Sequence, residues 1–305
     1  MDDMRIRKAG RVCDNLWYLG REESGIYILE GADSSIIISG GLNYIVPDIL
    51  RQLHQFNIDE TRIHKLLILH SHFDHIGLVP FFTRRYKRLA VYASSQSWEV
   101  LTDAFRIRAI NAMSRLEVEK MNIEADLADY DLEWRCDVTG SNVSEGDVID
   151  LGGISLEIIA TPGHSDCSLS AYVPSIKALF PSDSAGIPYK DTIMPTGNTN
   201  YTQYLQNLNK LASFEVDYFC ADHYGYVSGN EARHFIEESI KISKQFLAMV
   251  RALHCRTGSI DKTVKKLVGY ARSLNRDYFL PPEILAQVYR PMVTHIITAM
   301  EGISI

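Results

Sequence analysis

Residues 70 to 75 read His70-Ser71-His72-Phe73-Asp74-His75. Three imidazoles and a carboxylate within six residues make a metal-ligand set. Nitrogen and oxygen donors without a thiolate suit Zn, Fe or Mn. A water between two such cations loses a proton near neutral pH and becomes a nucleophile. One cation can also polarise a carbonyl or phosphoryl oxygen and accept its developing charge. A solvated polar loop with coincidental histidines is the plain alternative. It leaves the rest of the chain unexplained.

The neighbouring residues say how the cluster is positioned. Residues 65–69 (Lys-Leu-Leu-Ile-Leu) form an apolar run of strand length, and 76–82 read as a turn entering a helix. The cluster therefore sits at a strand end, where α/β sheets place their chemistry. His70 and His72 lie two apart on an extended segment and point the same way. The chain then turns, so Asp74 and His75 approach from another direction. One segment can thus offer ligands to two adjacent ions.

Three further strand-like runs end in the same chemistry. Thr161-Pro162-Gly163-His164-Ser165 follows the run 154–159, with Pro and Gly punctuating the strand end. The run beginning at Ala178 ends in Ser182-Asp183, and the run from Tyr218 ends in Asp222-His223-Tyr224-Gly225.

HxHxDH followed by TPGHS, SD and DH resembles the metallo-β-lactamase superfamily over the first three quarters of the chain. All seven ligand positions are filled. The resemblance implies an α/β fold, a four-layer αβ/βα sandwich with metals at one edge of two facing mixed sheets. It implies that His70, His72 and His164 hold one ion, that Asp74, His75 and His223 hold a second, and that Asp183 bridges them. The cofactors are then two divalent metal ions, Zn first, with Fe or Mn as alternatives. A metal-bridging hydroxide would attack the substrate, with His72, Asp74 and Asp183 as the catalytic residues and Asp74 also orienting the water. No GxSxG elbow offers a Ser nucleophile.

Composition bounds the partners. The chain has 305 residues, 46% hydrophobic, enough for one large core and an appendage. A net charge of −7 argues against a nucleic-acid partner, which calls for basic stripes. No apolar stretch reaches membrane-spanning length, and no apolar run follows the charged start, so neither a membrane span nor a signal peptide is expected. The five cysteines are odd in number and widely spaced, which fits a reduced, cytoplasmic setting. Cys167 and Cys220 read as small packing residues.

The elements can be read coarsely. Residues 12–39 alternate like antiparallel strands, with Gly31-Ala32-Asp33 as a turn. Residues 46–56 form an amphipathic helix with Pro47 in its first turn. A strand follows at 89–93, a helical stretch at 95–127, and a turn-rich segment at 141–153 that introduces a second sheet. Residues 188–200 read as a loop and 201–214 as a helix. A catalytic domain over 1–228 is then followed by a helical extension over 229–305 that covers or lines the active site. Its helices are expected at 230–255, 260–274 and from Pro281-Pro282 to about Met300, where Pro291 should kink the last. A connection lies at 276–280. Substrate walls are expected within 102–127, 184–201 and the last three helices. The apolar extension can bury itself on the core or on a second subunit, so a homodimer is one of two readings.

The extension narrows the resemblance. Glyoxalase II-type hydrolases carry HxHxDH and a C-terminal helical domain. Quinolone-signal response thioesterases likewise have helices over a dinuclear site, and their Asp-Phe-Leu-Pro segment resembles Asp277-Tyr278-Phe279-Leu280-Pro281. The resemblance implies hydrolysis of an ester-like acyl bond in a small-molecule ester or thioester, thioesters first. Lactonases share all seven ligands and use a Tyr near the bridging Asp, which Tyr189 or Tyr201 can supply unless both are ordinary loop aromatics. A small phosphodiester ranks third. A reading of another class is a metal-binding regulatory protein acting through its helical surface.

Overall fold

A computed structural model describes residues 4–274 and 281–300. The connection at 276–280, all but Pro281 of the Asp277–Pro281 motif, and residues 1–3 lie outside the described residues. The early strands are β1 (Met4–Ile6), β2 (Gly10–Cys13), β3 (Leu16–Gly20), β4 (Gly25–Glu30) and β5 (Ser35–Ile38). As the alternation at 12–39 predicts, β2 to β5 form an antiparallel meander. Then come β6 (Ile63–Leu67), β7 (Ala90–Ala93) and β8 (Ser141–Asn142), which add to it in parallel and complete a seven-stranded sheet.

The second sheet also has seven strands. It uses β9 (Val148–Asp150), β10 (Ser155–Ala160), β11 (Leu169–Val173) and β12 (Ala178–Phe180). A two-stranded hairpin comes next in the chain, β13 (Ile187–Tyr189) with β14 (Thr192–Met194). Strands β15 (Tyr218–Cys220) and β16 (Tyr226–Ser228) then give the second sheet the order β1-β16-β15-β12-β11-β10-β9. The hairpin corrects the loop expected at 188–200. Strands of three residues carry too little alternation to be read, and the turn needs Lys190 in the left-handed region, at φ 47°.

Period two explains why the first sheet is buried on both faces. Tyr27, Leu29, Ile36 and Ile38 pack with Leu156, Ile158, Phe180 and Cys220 of the second sheet. Their neighbours Ile26, Ile28 and Ile37 face the other way and pack on helices. Those helices are α1 (Val46–Gln55), α2 (Val79–Arg85), α3 (Ser95–Leu101), α4 (Ala104–Met121) and α5 (Glu124–Leu127). The helical stretch expected at 95–127 is therefore three helices. Asp103 breaks it by accepting from the Phe105 and Arg106 amides at the start of α4, and Asn122 ends α4 at φ 52°.

Gln52 fastens α1 to β3. Its amide accepts from the Gly20 N–H at 2.7 Å and donates to the Gly20 carbonyl at 2.9 Å, all buried. Gln52→Ala leaves both backbone groups without a protein partner. We expect a loss of about 2 kcal/mol in urea unfolding; an unchanged midpoint would mean that water replaces the side chain there.

The remaining helices are α6 (Tyr201–Leu211), α7 (Gly229–Thr257), α8 (Ile260–Leu274) and α9 (Pro282–Met300). In α9, Leu285, Met292, Val293 and Ile296 recur at helical spacing and are buried. The helix runs past Pro291. The chain divides into two compact units. The first, residues 1–160, 167–182 and 215–233, contains both seven-stranded sheets and α1 to α5. The second, residues 161–166, 183–214 and 234–305, contains the hairpin, α6, α8, α9 and most of α7. No helix among the described residues is long and apolar enough to cross a membrane.

Candidate metal centre

In the first unit the end of β6 delivers the histidine cluster. After Leu67 the chain leaves the ladder and reaches a single helical turn over Phe73–His75, which redirects Asp74 and His75. The rings of His70 and His72 lie 4.7 Å apart, those of His70 and His75 4.0 Å, and those of His75 and His223 4.8 Å. Asp74 Oδ2 lies 3.7 Å from His75 Nε2 and 3.6 Å from His223 Nε2. Five of the seven candidates are thus gathered in this unit. His70, His75 and His223 are each 1% exposed, and His72 is the most open of the five.

Asp222 organises the imidazoles. Its Oδ2 accepts from His75 Nδ1 at 2.7 Å, from the Ser39 hydroxyl at 3.0 Å and from the Ser182 hydroxyl. Assigning protons from these acceptors fixes the tautomers. His75 carries its proton on Nδ1. His223 does too, because its Nδ1 donates to the Glu23 carbonyl at 2.6 Å. Ser182 gives its one proton to Asp222, so it accepts from His70 Nδ1 at 3.1 Å. In the neutral form of all three rings the lone pair then sits on Nε2.

The consequence is decisive at His75 and His223. Their Nε2 atoms stand 3.1 Å apart, and in the neutral rings neither carries a proton. Two lone pairs meet beside the Asp74 carboxylate, and the three ligand atoms lie within 4.8 Å of one another. A cation satisfies that arrangement, and imidazole nitrogens with one carboxylate suit a divalent transition metal. The acceptors behind Nδ1 supply the outer contacts that hold metal-binding imidazoles in place.

The second unit carries the other two candidates. His164 Nε2 and Asp183 Oδ2 are 3.4 Å apart, at 2% and 5% exposure. Thr196 holds both. His164 Nδ1 donates to its carbonyl at 2.7 Å, and its hydroxyl donates to the Asp183 carbonyl. Gly163 makes the turn before His164 at φ 130°, where a Cβ would come within 2.5 Å of the Tyr204 nitrogen.

Asp222, Ser182, Ser39 and Thr196 are residues that the motif reading did not assign. Two stood beside candidates, in Ser182-Asp183 and Asp222-His223, but their roles depend on contacts 147 positions away for His75 and 32 away for His164. Tyr201 is accounted for by packing. It is 1% exposed, donates to the Ser243 carbonyl at 2.9 Å and stacks on Phe246. Cys220 is fully buried between the sheets, and burial raises its thiol pKa, as a packing role requires. No disulfide links the five cysteines.

Fold and donor set define a metal-dependent hydrolase. The metallo-β-lactamase superfamily profile matches residues 20–223, and the chain belongs to that superfamily. The metallo-β-lactamase fold-containing protein ST1585 of Sulfurisphaera tokodaii is 26% identical over 210 residues, covering 68% of this chain and 75% of its own. The structure of the family protein TTHA1429 from Thermus thermophilus is similar with a TM-score of 0.66 at 16% identity, covering 96% of this chain and 95% of that one. A metallo-β-lactamase of Cronobacter sakazakii gives 0.59 at 19% identity, covering 80% and 99%. At these identities the solved structures establish the fold.

Removing metal tests the centre directly. Ions bound only by the folded chain stabilise it by mass action, so dipicolinate treatment should lower Tm by roughly 5–10 °C. Stoichiometric Zn should restore it. A melting curve indifferent to both treatments would sink the assignment.

Proposed function

We propose that the protein holds two divalent metal ions and hydrolyses an ester-like acyl bond, thioesters ahead of lactones. His70, His72 and His164 are assigned to one ion, Asp74, His75 and His223 to the other, and Asp183 to both. When bound, the ions activate a water and polarise the acyl oxygen. The observation that carries this reading is the convergence of the His75 and His223 Nε2 atoms beside Asp74.

The chain's own groups then have simple tasks. Asp74 Oδ2 accepts a proton from the attacking water. The water oxygen bonds to the acyl carbon, the C–S bond breaks, and the proton passes to the departing thiolate. The products are a carboxylic acid and a thiol. Asp222 and Thr196 keep the His75 and His164 rings in the orientation the site requires. Helices follow residue 228 in the chain, and C-terminal helices are what glyoxalase II-type and quinolone-signal response enzymes carry, which supports the preference for thioesters. A reduced cytoplasmic setting belongs to the same proposal.

Elemental mass spectrometry of the purified protein, with a panel of acyl thioesters, lactones and a bis-aryl phosphodiester, tests it. Two metals per chain with thioester turnover is the expected result. Two metals without turnover on any of the three would favour a regulatory protein that works through its helical surface. Less than one metal after reconstitution would end the dinuclear reading.

A further inference from the structure

We infer, resting on the hydrolase reading above, that the substrate's acyl part is an uncharged apolar chain or ring system of roughly ten carbons, seated in a cavity inside the second unit. The cavity measures about 250 Å³. The hairpin supplies Tyr189 and Met194, α7 supplies Ile242, Phe246 and Met249, and Tyr289 of α9 also lines it. The three α7 residues fall at i, i+4 and i+7, on one helical face. Ala271 of α8 leaves room where a larger side chain would fill it. Tyr270 beside it is 46% exposed and marks the side open to solvent.

Charge selects the class of ligand. None of the lining residues is Asp, Glu, Lys or Arg. A nucleotide, or a peptide thiol with its carboxylates and ammonium, would be desolvated there without a counter-charge, which is costly. A hydrocarbon chain meets no such penalty. Size follows by proportion: a dry cavity of about 150 Å³ accepts benzene, so 250 Å³ accommodates roughly ten carbons.

Chain connectivity links the cavity to the chemistry. The hairpin that walls it grows from the segment bearing Asp183. Its other end returns to Thr196, the residue that hydrogen-bonds both Asp183 and His164. Met194 lines the cavity two residues before Thr196, within about 7 Å along the chain. We place the carboxyl end of an acyl chain on the Met194 side of the cavity, toward these two residues of the same unit.

Calorimetric titration of the metal-loaded protein with straight-chain carboxylates from butyrate to dodecanoate tests the inference without turnover. Affinity should rise about three- to fourfold per methylene and level off near ten carbons. Ala271→Phe should weaken decanoate binding about thirtyfold, the worth of two to three methylenes, and move the break to shorter chains. Met249→Ala should move the break to longer ones, and it decides the matter if the Phe variant fails to fold. Affinities independent of chain length, or a break unmoved by Met249→Ala, would overturn the cavity assignment. A matching series of acyl thioesters separates the two proposals. A chain-length trend in binding without hydrolysis supports the cavity and removes the enzyme reading. Hydrolysis with no chain-length trend in binding does the reverse.

Discussion

Asp74→Asn is expected to lower kcat/KM for an acyl thioester by about 10²- to 10⁴-fold, the usual worth of a positioned proton acceptor. The expectation rests on geometry. Asp74 is 9% exposed, and its Oδ2 lies 3.6–3.7 Å from the Nε2 atoms of His223 and His75. The amide is nearly isosteric, so packing is retained. It is neutral, however, and cannot take a proton from water. It is also a weaker metal ligand, so metal content should fall by about one ion per chain. Steady-state kinetics beside elemental analysis separates the two losses. If restoring the metal with excess Zn restored the rate as well, Asp74 would be a ligand and not the proton acceptor. Activity within threefold of the parent would remove it from both roles.

Asp222→Ala should give the second large effect, although Asp222 is assigned no metal. One carboxylate oxygen accepts from Ser39, His75 and Ser182, and the residue is 3% exposed. Removing it leaves buried donors without their acceptor, at a cost of about 3 kcal/mol of stability. It also frees the His75 ring to turn and to move its proton to Nε2, which blocks the lone pair. Loss of such an outer contact typically weakens metal binding by about 10- to 100-fold. Competition with a chromophoric Zn chelator reads the affinity, and guanidinium unfolding reads the stability. Unchanged Zn affinity would mean that the ring is held by packing alone, and the tautomer assignment would fall with it. Asp222→Asn should lie between, since its amide oxygen still accepts from one partner.

The sequence made the candidates legible because they are local. His70 to His75 lie within six residues at a strand end, and the runs ending at His164, Asp183 and His223 announce themselves by apolar residues followed by polar ones. The strongly alternating strands β3 to β5 and the long helices α7 to α9 were legible for the same reason, since each repeats its period several times. What escaped reading is non-local or short. That Asp222 holds His75 depends on chain 147 positions apart coming together. Thr196 sits in a stretch with no periodicity, and its value lies in a carbonyl that every residue type has. The hairpin β13–β14 has strands of three residues and contains Pro188, a residue that sheets usually confine to edges. Likewise, the break within 95–127 turns on a single side chain, Asp103, in a stretch whose apolar spacing is otherwise continuous.

The division into two units constrains how this protein can diversify. The chain crosses from one unit to the other five times, at 160/161, 166/167, 182/183, 214/215 and 233/234. One crossing is the peptide bond between Ser182 and Asp183. No single splice, whether by recombination or in the laboratory, can therefore transplant either unit whole. Exchanging the last three helices for those of a relative would leave the hairpin and the segments bearing His164 and Asp183 behind, facing foreign partners. New specificities in this lineage should consequently arise by substitutions made in place along the cavity wall, and a library of such point changes should yield more folded variants than a library of domain chimeras.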